Sequence, residues 1–443
     1  MFSISGIRGI YGVDLTPKLA YDLARAYAEA FNVKSILIGR DTRPSGFPLE
    51  HAIASSLMSC GCNVCLAGVQ PTPVVLWACR VMGFDGAIAI TASHNPSEWN
   101  ALKLAVKGLL LDSEGIERLR KSLNNLHEGH HTSRGFCWSY DPLGKYIEEA
   151  LKHLNVDLIR KAKLRVVVDV GGGAGYRATP ILLRKLGCEV ITINSTPSLF
   201  NRPIEPTPQA LNDLKVAVRS YGADVGFAHD ADADRLVCVN EKGEVLIEDY
   251  SLAIAALHVL SRRKGPLVVN VASSMIFKWI ADNMGVELYW SPVGEVNVVK
   301  EVIKHKALIG GEGSSGGIIP AFFNLARDGI FGAALIVEAM AQYKCRISDI
   351  VDSMPKYYQA KGHVYCDPAK YHAVIKRLID ELEGLKIDLI DGVKIWLDEG
   401  WVLIRPSQTE PKIRILCEAD EMSKAQSLVK NYGEIVAEVV KKV

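Results

Sequence analysis

The chain carries no excess charge of either sign. Fifty-one Lys and Arg stand against fifty Asp and Glu, a formal net charge of +1. That excludes a global basic field for nucleic acid and leaves only a local basic pocket open. Long hydrophobic runs are lacking too. "LAIAALHVL" and "FGAALIVEAMA" fall short of the roughly 20 residues that cross a bilayer, and "MFSISGIRGI" has no apolar signal-peptide core. The expectation is a soluble, cytoplasmic protein with neither membrane nor nucleic-acid partners. A zinc-ribbon spacing is missing as well. "CGCNVC" (Cys60, Cys62, Cys65) has no second Cys pair to match it, so these cysteines read as buried and reduced where a helix hands over to a strand. What is present is an ordinary globular composition, 49% apolar and 23% charged, on 443 residues, more than one hydrophobic core accommodates.

Self-similarity organises that length. "SLMSCGCNVCLAG" (55–68), "PILLRKLGCEVITI" (180–193) and "WIADNMGVELYWSPVG" (279–294) share a helical apolar pattern, a Gly suited to the helix C-cap and a short strand. Before each stands another strand-like run, "SILIGRD" (35–41), "LRVVVDV" (164–170) and "PLVVNV" (266–271). Strand–helix–strand units with short loops imply α/β domains with parallel sheets, three of them in tandem. From about Lys361 the pattern changes. "IDGVKIWL" and "GWVLIRP" alternate across turn residues as antiparallel strands do, between two helical stretches. The expected division is 1–140, 141–247 and 248–358 as related α/β domains, then 359–443 as an α+β domain.

Four loops concentrate chemistry. In "GAIAITASHNP" (86–96) a strand-like run delivers Thr, Ser, His, Asn and Pro together, with Pro96 restricting the exit. Ser93 beside His94 invites a serine-hydrolase reading, but sequence neighbours usually point apart, and His94 reads as a loop-shaping or phosphate-contacting neighbour. "AHDADADRLVCVN" (228–240) spaces Asp230, Asp232 and Asp234 by single alanines. The loop is either a hard-oxygen site for Mg²⁺ or a similar cation, or a solvated acidic turn. "RPSQTEPKIRIL" (405–416) offers Arg405, Ser407 and Thr409, a phosphate-holding set or a polar turn between strands. "IGGEGSSGGIIP" (309–320) sets Glu312 among glycines, which permit close approach of a ligand whose hydroxyls a carboxylate could accept from. It lacks the G-K-[ST] of a P-loop. "VGGGAGYRATP" (170–180) reads as a tight strand-to-helix turn. "HEGHH" (127–131) satisfies H-E-x-x-H, but Gly129 interrupts the helix that a metalloprotease needs. A solvated loop is expected there.

Taken in order along the whole chain, "SGIRG", "GRDTRPSG", "TASHNP", "DADADR", "GGEGSSGG" and "RPSQTEPKIRI" resemble the α-D-phosphohexomutase family, which includes phosphoglucomutase, phosphomannomutase and phosphoglucosamine mutase. The resemblance implies four domains around a central cleft, the first three related. It implies interconversion of hexose 1-phosphate and hexose 6-phosphate through a phosphoserine enzyme and a hexose 1,6-bisphosphate. Ser93 would be the phosphoserine. Asp230, Asp232 and Asp234 would hold one Mg²⁺ per chain, with the Ser93 phosphate as a further ligand. Arg8, His94 and Arg235 would line the reacting pocket, and Lys103 would match a lysine proposed as a general acid/base. Glu312 and Ser314 would contact sugar hydroxyls, while Arg405, Ser407, Gln408, Thr409 and Arg414 would grip the non-reacting phosphate. Two departures stand out. The family's loop often reads G-E-M/Q-S-G-H, with a His that can act in acid/base chemistry, whereas Gly316 and Gly317 occupy that neighbourhood here, and Gln408 stands where Gly commonly follows "RPS". Glucose or mannose phosphates are the expected substrates, with phosphoglucosamine as the alternative and a weakly active phosphosugar-binding paralogue behind both. The assembly is expected to be a monomer or homodimer.

Overall fold

The computed structural model describes residues 2–3, 6–126, 134–398, 400–407 and 410–443, with the side chains of 248 and 314 excepted. The segment "HEGHH" lies outside the described residues, as do Gln408, Thr409 and the Ser314 side chain. Three of the four sheets repeat one topology. In the first, Asn63–Val69, Ser35–Arg40, Gly86–Ile90 and Trp99–Val106 lie side by side in that order. The first three are parallel and the fourth is antiparallel. Glu189–Ile193, Arg165–Asp169, Val225–Ala228 and Val237–Asn240 repeat this order and polarity. So do Leu288–Ser291, Leu267–Asn270, Ile309–Glu312 and Gly317–Ile319. The sequence repeats are the first two strands of each unit with the helix between them.

The sheets form because their strands are apolar on both faces, as "GAIAI" and "VVVD" are, and helices cover them. Helix boundaries follow local chemistry. Thr16 caps Pro17–Phe31 by accepting from Leu19 N, and Asn32 closes it in the left-handed region. "GGGAG" makes the turn between Arg165–Asp169 and helix Gly175–Lys185, with Gly171 and Gly172 at positive φ. Cys60, Cys62 and Cys65 are buried between helix Gly46–Ser59 and strand Asn63–Val69, while Cys137 is exposed.

One hydrophobic core runs through all three units. Trp77, Tyr146, Phe323 and Phe331 belong to it, with Trp77 edge-on to Tyr146 at 5.5 Å and Phe323 stacked on Phe331 at 4.3 Å. Each such ring contributes about 1.5–3 kcal/mol by burial. The Tyr146 hydroxyl donates to Asp328, which also caps helix Gly329–Tyr343. The last unit has a core of its own. Its five strands are all antiparallel, in the order Tyr358–Tyr365, Lys412–Ala419, Gly400–Pro406, Val393–Leu397, Ile387–Asp388. Helices Tyr371–Glu381 and Met422–Lys442 pack on that sheet. It joins the third unit through a small cluster of Val271, Ala272, Trp401 and Leu403. There Lys394 lies 4.1–4.5 Å from the rings of Trp290, Trp396 and Trp401 and donates to Val271 O at 2.7 Å.

Candidate active site

The topology explains why the informative loops meet. "TASHNP", "DADADR" and "GGEGSSGG" each follow the third strand of their unit and lead into the antiparallel fourth. They are one loop three times over, at the carboxyl ends of parallel strands where α/β sheets bind ligands. A second position also recurs. Asp41, Asp169 and Asn270 end or directly follow the first strand of their units, and each accepts from the backbone N–H two residues on. What the rest of that side chain meets differs. Asp41 pairs with Arg43 at 3.0 Å, Asp169 with Arg202 at 2.9 Å, while the Asn270 amide donates to Glu312 at 3.0 Å. The residue type follows the charge of its partner.

Ser93 is held in the left-handed region at φ 52, a conformation that costs a non-glycine residue about 1 kcal/mol or more. The fully buried Arg43 imposes it. Its guanidinium donates to the carbonyls of Ser93 (2.8 Å), Asn95 (2.7 Å), Trp99 (3.1 Å) and Pro96. Ser93 N–H donates to Thr91 Oγ1, whose hydroxyl donates to Asp41. So presented, Ser93 Oγ donates to Asp230 Oδ2 at 2.5 Å. It does not meet His94. That imidazole accepts from Arg235 at 2.9 Å, and burial, reinforced by Arg235 and Arg8, pushes it down to about 2. A histidine so fixed in its neutral form is no base for Ser93.

Ligand atoms of Asp230, Asp232 and Asp234 lie within 4.8 Å of one another, all buried. Ala231 and Ala233 between them are fully buried, and Ala233 takes φ 54 to turn the loop. Lys103 Nζ bridges Asp232 and Asp234 at 2.7 and 2.9 Å, and Thr72 donates to Asp232 at 2.5 Å. Burial, then Asp234 and Asp232, raise the Asp230 carboxyl. Burial would raise Asp234 too, but Arg327 and Lys103 outweigh it and hold that carboxyl below the usual range. Oδ1 of Asp232 and Oδ1 of Asp234 are buried without a hydrogen-bond partner, a state that buried polar atoms rarely keep. Three hard oxygen donors with two such atoms fit Mg²⁺.

The cleft above has a volume of about 330 Å³, and Arg8, Ser93, His94, Lys103, Arg235, Glu312, Arg405, Ser407 and Arg414 all line it. Arg8 stands on strand Gly6–Ile10 and donates to Asn95. Glu312 accepts from Asn270, from Gly294 N at 2.7 Å and from Arg327 at 3.3 Å. In the last unit Arg405 and Arg414 are directly opposed across antiparallel strands, where like charges repel. Asp391 holds the first at 3.1 Å and Glu410 the second at 3.1 Å. Such a pair favours an anion.

Sequence reasoning did not assign Arg43, Arg202, Glu295 or Arg327. Arg43 sits in the quoted "GRDTRPSG", so that motif was the available signal; "NLARDG" (324–329) offered none for Arg327.

Domains I, II and III of the alpha/beta/alpha type and the C-terminal domain of phosphoglucomutase/phosphomannomutase match residues 1–130, 144–243, 248–358 and 366–432 in turn. The chain belongs to this family. It is 36% identical over 454 residues to a phosphoglucomutase/phosphomannomutase of Thermococcus kodakarensis, covering 100% of this chain and 99% of that one. To a protein of Methanosarcina barkeri named "Probable phosphoglucosamine mutase" it is 37% identical over 431 residues, 95% of each. A solved phosphoglucomutase/phosphomannomutase family protein of Burkholderia thailandensis superposes with a TM-score of 0.87 at 25% identity, covering 99% of this chain and 98% of that one. The phosphohexomutase thus has its four units in family order, and no helix among its described residues is long and apolar enough to cross a membrane.

Proposed function

We propose that this phosphohexomutase interconverts the 1- and 6-phosphates of glucose or mannose, with Ser93 as the phosphoryl carrier. The observation that carries the reading is the 2.5 Å contact of Ser93 Oγ with Asp230 inside the three-carboxylate cluster. In the reaction, a sugar hydroxyl oxygen bonds to phosphorus as the bond from phosphorus to Ser93 Oγ breaks, and the hydroxyl's proton passes through water to the Ser93 Oγ left behind. The bisphosphate then turns over in the cleft, and its other phosphate returns to Ser93. Asp230, Asp232 and Asp234 would hold Mg²⁺, which supplies charge neutralisation on the transferring group. Burial opposes the Lys103 ammonium, but Asp232 and Asp234 outweigh it and raise its pKa. Lys103 therefore keeps its proton and sets a fixed positive charge beside the aspartates of the transferring site. Arg8 and Arg235 steady the reacting phosphate. Glu312, with Ser314, takes sugar hydroxyls. The opposed Arg405 and Arg414, with Ser407, Gln408 and Thr409, grip the phosphate at rest.

Phosphoglucosamine is the second reading, supported by the names of several relatives. Coupled assays on the 1-phosphates of glucose, mannose and glucosamine, with Mg²⁺ and a sugar bisphosphate, separate these substrates. No turnover on any of them would sink the mutase reading. Ser93→Ala is expected to lower turnover at least about 10³-fold and to remove the phosphate that mass spectrometry should find on this peptide. Full activity in that variant would refute the assignment of the carrier.

A further inference from the structure

Arg327 is the most heavily engaged cation of the cleft. Its guanidinium reaches Asp234 of the metal loop at 2.6 Å and Glu312 of the sugar loop at 3.3 Å. It lies 3.2 Å from Glu295, at the start of helix Glu295–His305. Burial opposes its charge, but Asp234, Glu295 and Glu312 outweigh it. Its aliphatic stem occupies a particular place. Gly317 is directly opposite Glu312 in the hairpin of the third unit, so a side chain at 317 would stand on the same face as Glu312. A Cβ there would lie 2.4 Å from Arg327 Cδ and 3.0 Å from its Cγ. Gly317 also bridges to Arg235, and Leu236 N–H donates to Gly316 O at 2.9 Å. The backbones of the two loops therefore already touch, and the arginine adds the side-chain tie above them.

We propose that Arg327 is the positioning residue that locks the metal loop to the sugar loop, in the space that the glycine at 317 leaves open. This rests on the mutase reading for what the two loops hold. An arginine keeps its proton at any working pH, so it acts through place and charge. Asp234 stays oriented on one side, Glu312 on the other, and the reacting phosphate keeps its distance from the sugar hydroxyls. Without Arg327, Glu312 retains Asn270 and Gly294 N–H. Sugar binding then persists, and the loss falls on the chemical step.

The test uses Arg327→Ala, Arg327→Lys, Gly317→Ala and the double variant Gly317→Ala/Arg327→Ala in the full chain. Arg327→Ala and Gly317→Ala should each lower kcat at least about 30-fold with KM within about threefold of wild type. The double variant should fall no further than the worse single, because the methyl acts by displacing the arginine. Losses that multiply would overturn the proposal, as would full kcat in Arg327→Lys, which keeps the charge without the three-way reach. Mn²⁺ binding to the metal-stripped protein, followed by electron paramagnetic resonance, is independent of turnover. Removing or displacing a cation beside Asp234 should tighten Mn²⁺ binding at least about threefold in both single variants. Weaker binding in either, or wild-type binding in Gly317→Ala, would overturn it. Should the wild type turn over no hexose phosphate, the mutase reading fails and the Mn²⁺ comparison alone decides on Arg327.

Discussion

Arg43 does for Ser93 what no neighbour in sequence could. A serine at φ 52 would relax toward a commoner conformation if its loop carbonyls were released, and four of those carbonyls end on one guanidinium. Arg43 is itself paired with Asp41, both fully buried. Removing one partner of such a pair leaves an uncompensated buried charge, a cost of about 3–5 kcal/mol. Arg43→Ala is accordingly expected to lower the thermal midpoint of the first three units and to abolish phosphate incorporation at Ser93, measured by calorimetry and by mass spectrometry. A variant that melts and phosphorylates like wild type would contradict this role. At the same scale, the adjacency of Ser93 and His94 carries no catalytic meaning. The two side chains part, one to Asp230 and the other to Arg235.

At the scale of the element, the unit is a four-stranded motif whose last strand reverses direction. The reversal makes the site, because it turns the third-strand loop back at the carboxyl edge of the sheet. The comparison of Asp41, Asp169 and Asn270 yields a prediction. Asn270→Asp would keep the turn at its own backbone but set a carboxylate against Glu312 in place of a donor. It should raise KM for the hexose phosphate and lower kcat/KM at least about tenfold. Steady-state kinetics checks this, and an unchanged kcat/KM would contradict it.

Much of this was legible in the sequence, for reasons that differ by element. The paired strands with a helix between them were readable, because apolar period and Gly caps are local. The shared position of the three loops was not, since the antiparallel fourth strands "WNALKLAV", "VCVN" and "GII" are too short or too apolar to declare a direction. Ser93 stood out only through the resemblance that "TASHNP" carries, and spacing alone left the three aspartates between a cation site and a solvated turn. Arg327 and Arg202 were not legible, since an arginine's meaning here comes from carboxylates 93 and 33 residues away.

Across the whole molecule, the first three units share a continuous core, while the fourth docks on a small patch around Lys394. Burial pushes the Lys394 ammonium down to about 7, against Glu418 and Asp388, which favour the charge; the three ring faces also favour it. The folded chain therefore releases this proton before the unfolded chain does. Unfolding between about 7 and the ordinary lysine value of 10.5 takes a proton up, so the contribution of Lys394 to stability grows as pH rises through that window and is lost as pH falls to 7. The wild type should gain on Lys394→Met by at most about 1.4 kcal/mol per pH unit. Thermal melts of the two at about pH 7 and pH 9 measure it, and a constant or shrinking gap would contradict the sign.

The contact between Ser93 and Asp230 spans 137 residues. A ribosome making this chain exposes the serine long before the carboxylates that face it, and domains fold from the N-terminus as they emerge. Arg43, Asp41 and Thr91, which set the backbone of Ser93, belong to the first unit, while the carboxylate its hydroxyl meets belongs to the second. Until residues 225–240 are made, the Ser93 hydroxyl lacks the carboxylate to which it donates. The site is complete only once residues 225–240 have formed their two strands and the loop between them, so its assembly is a question of order in synthesis as much as of shape.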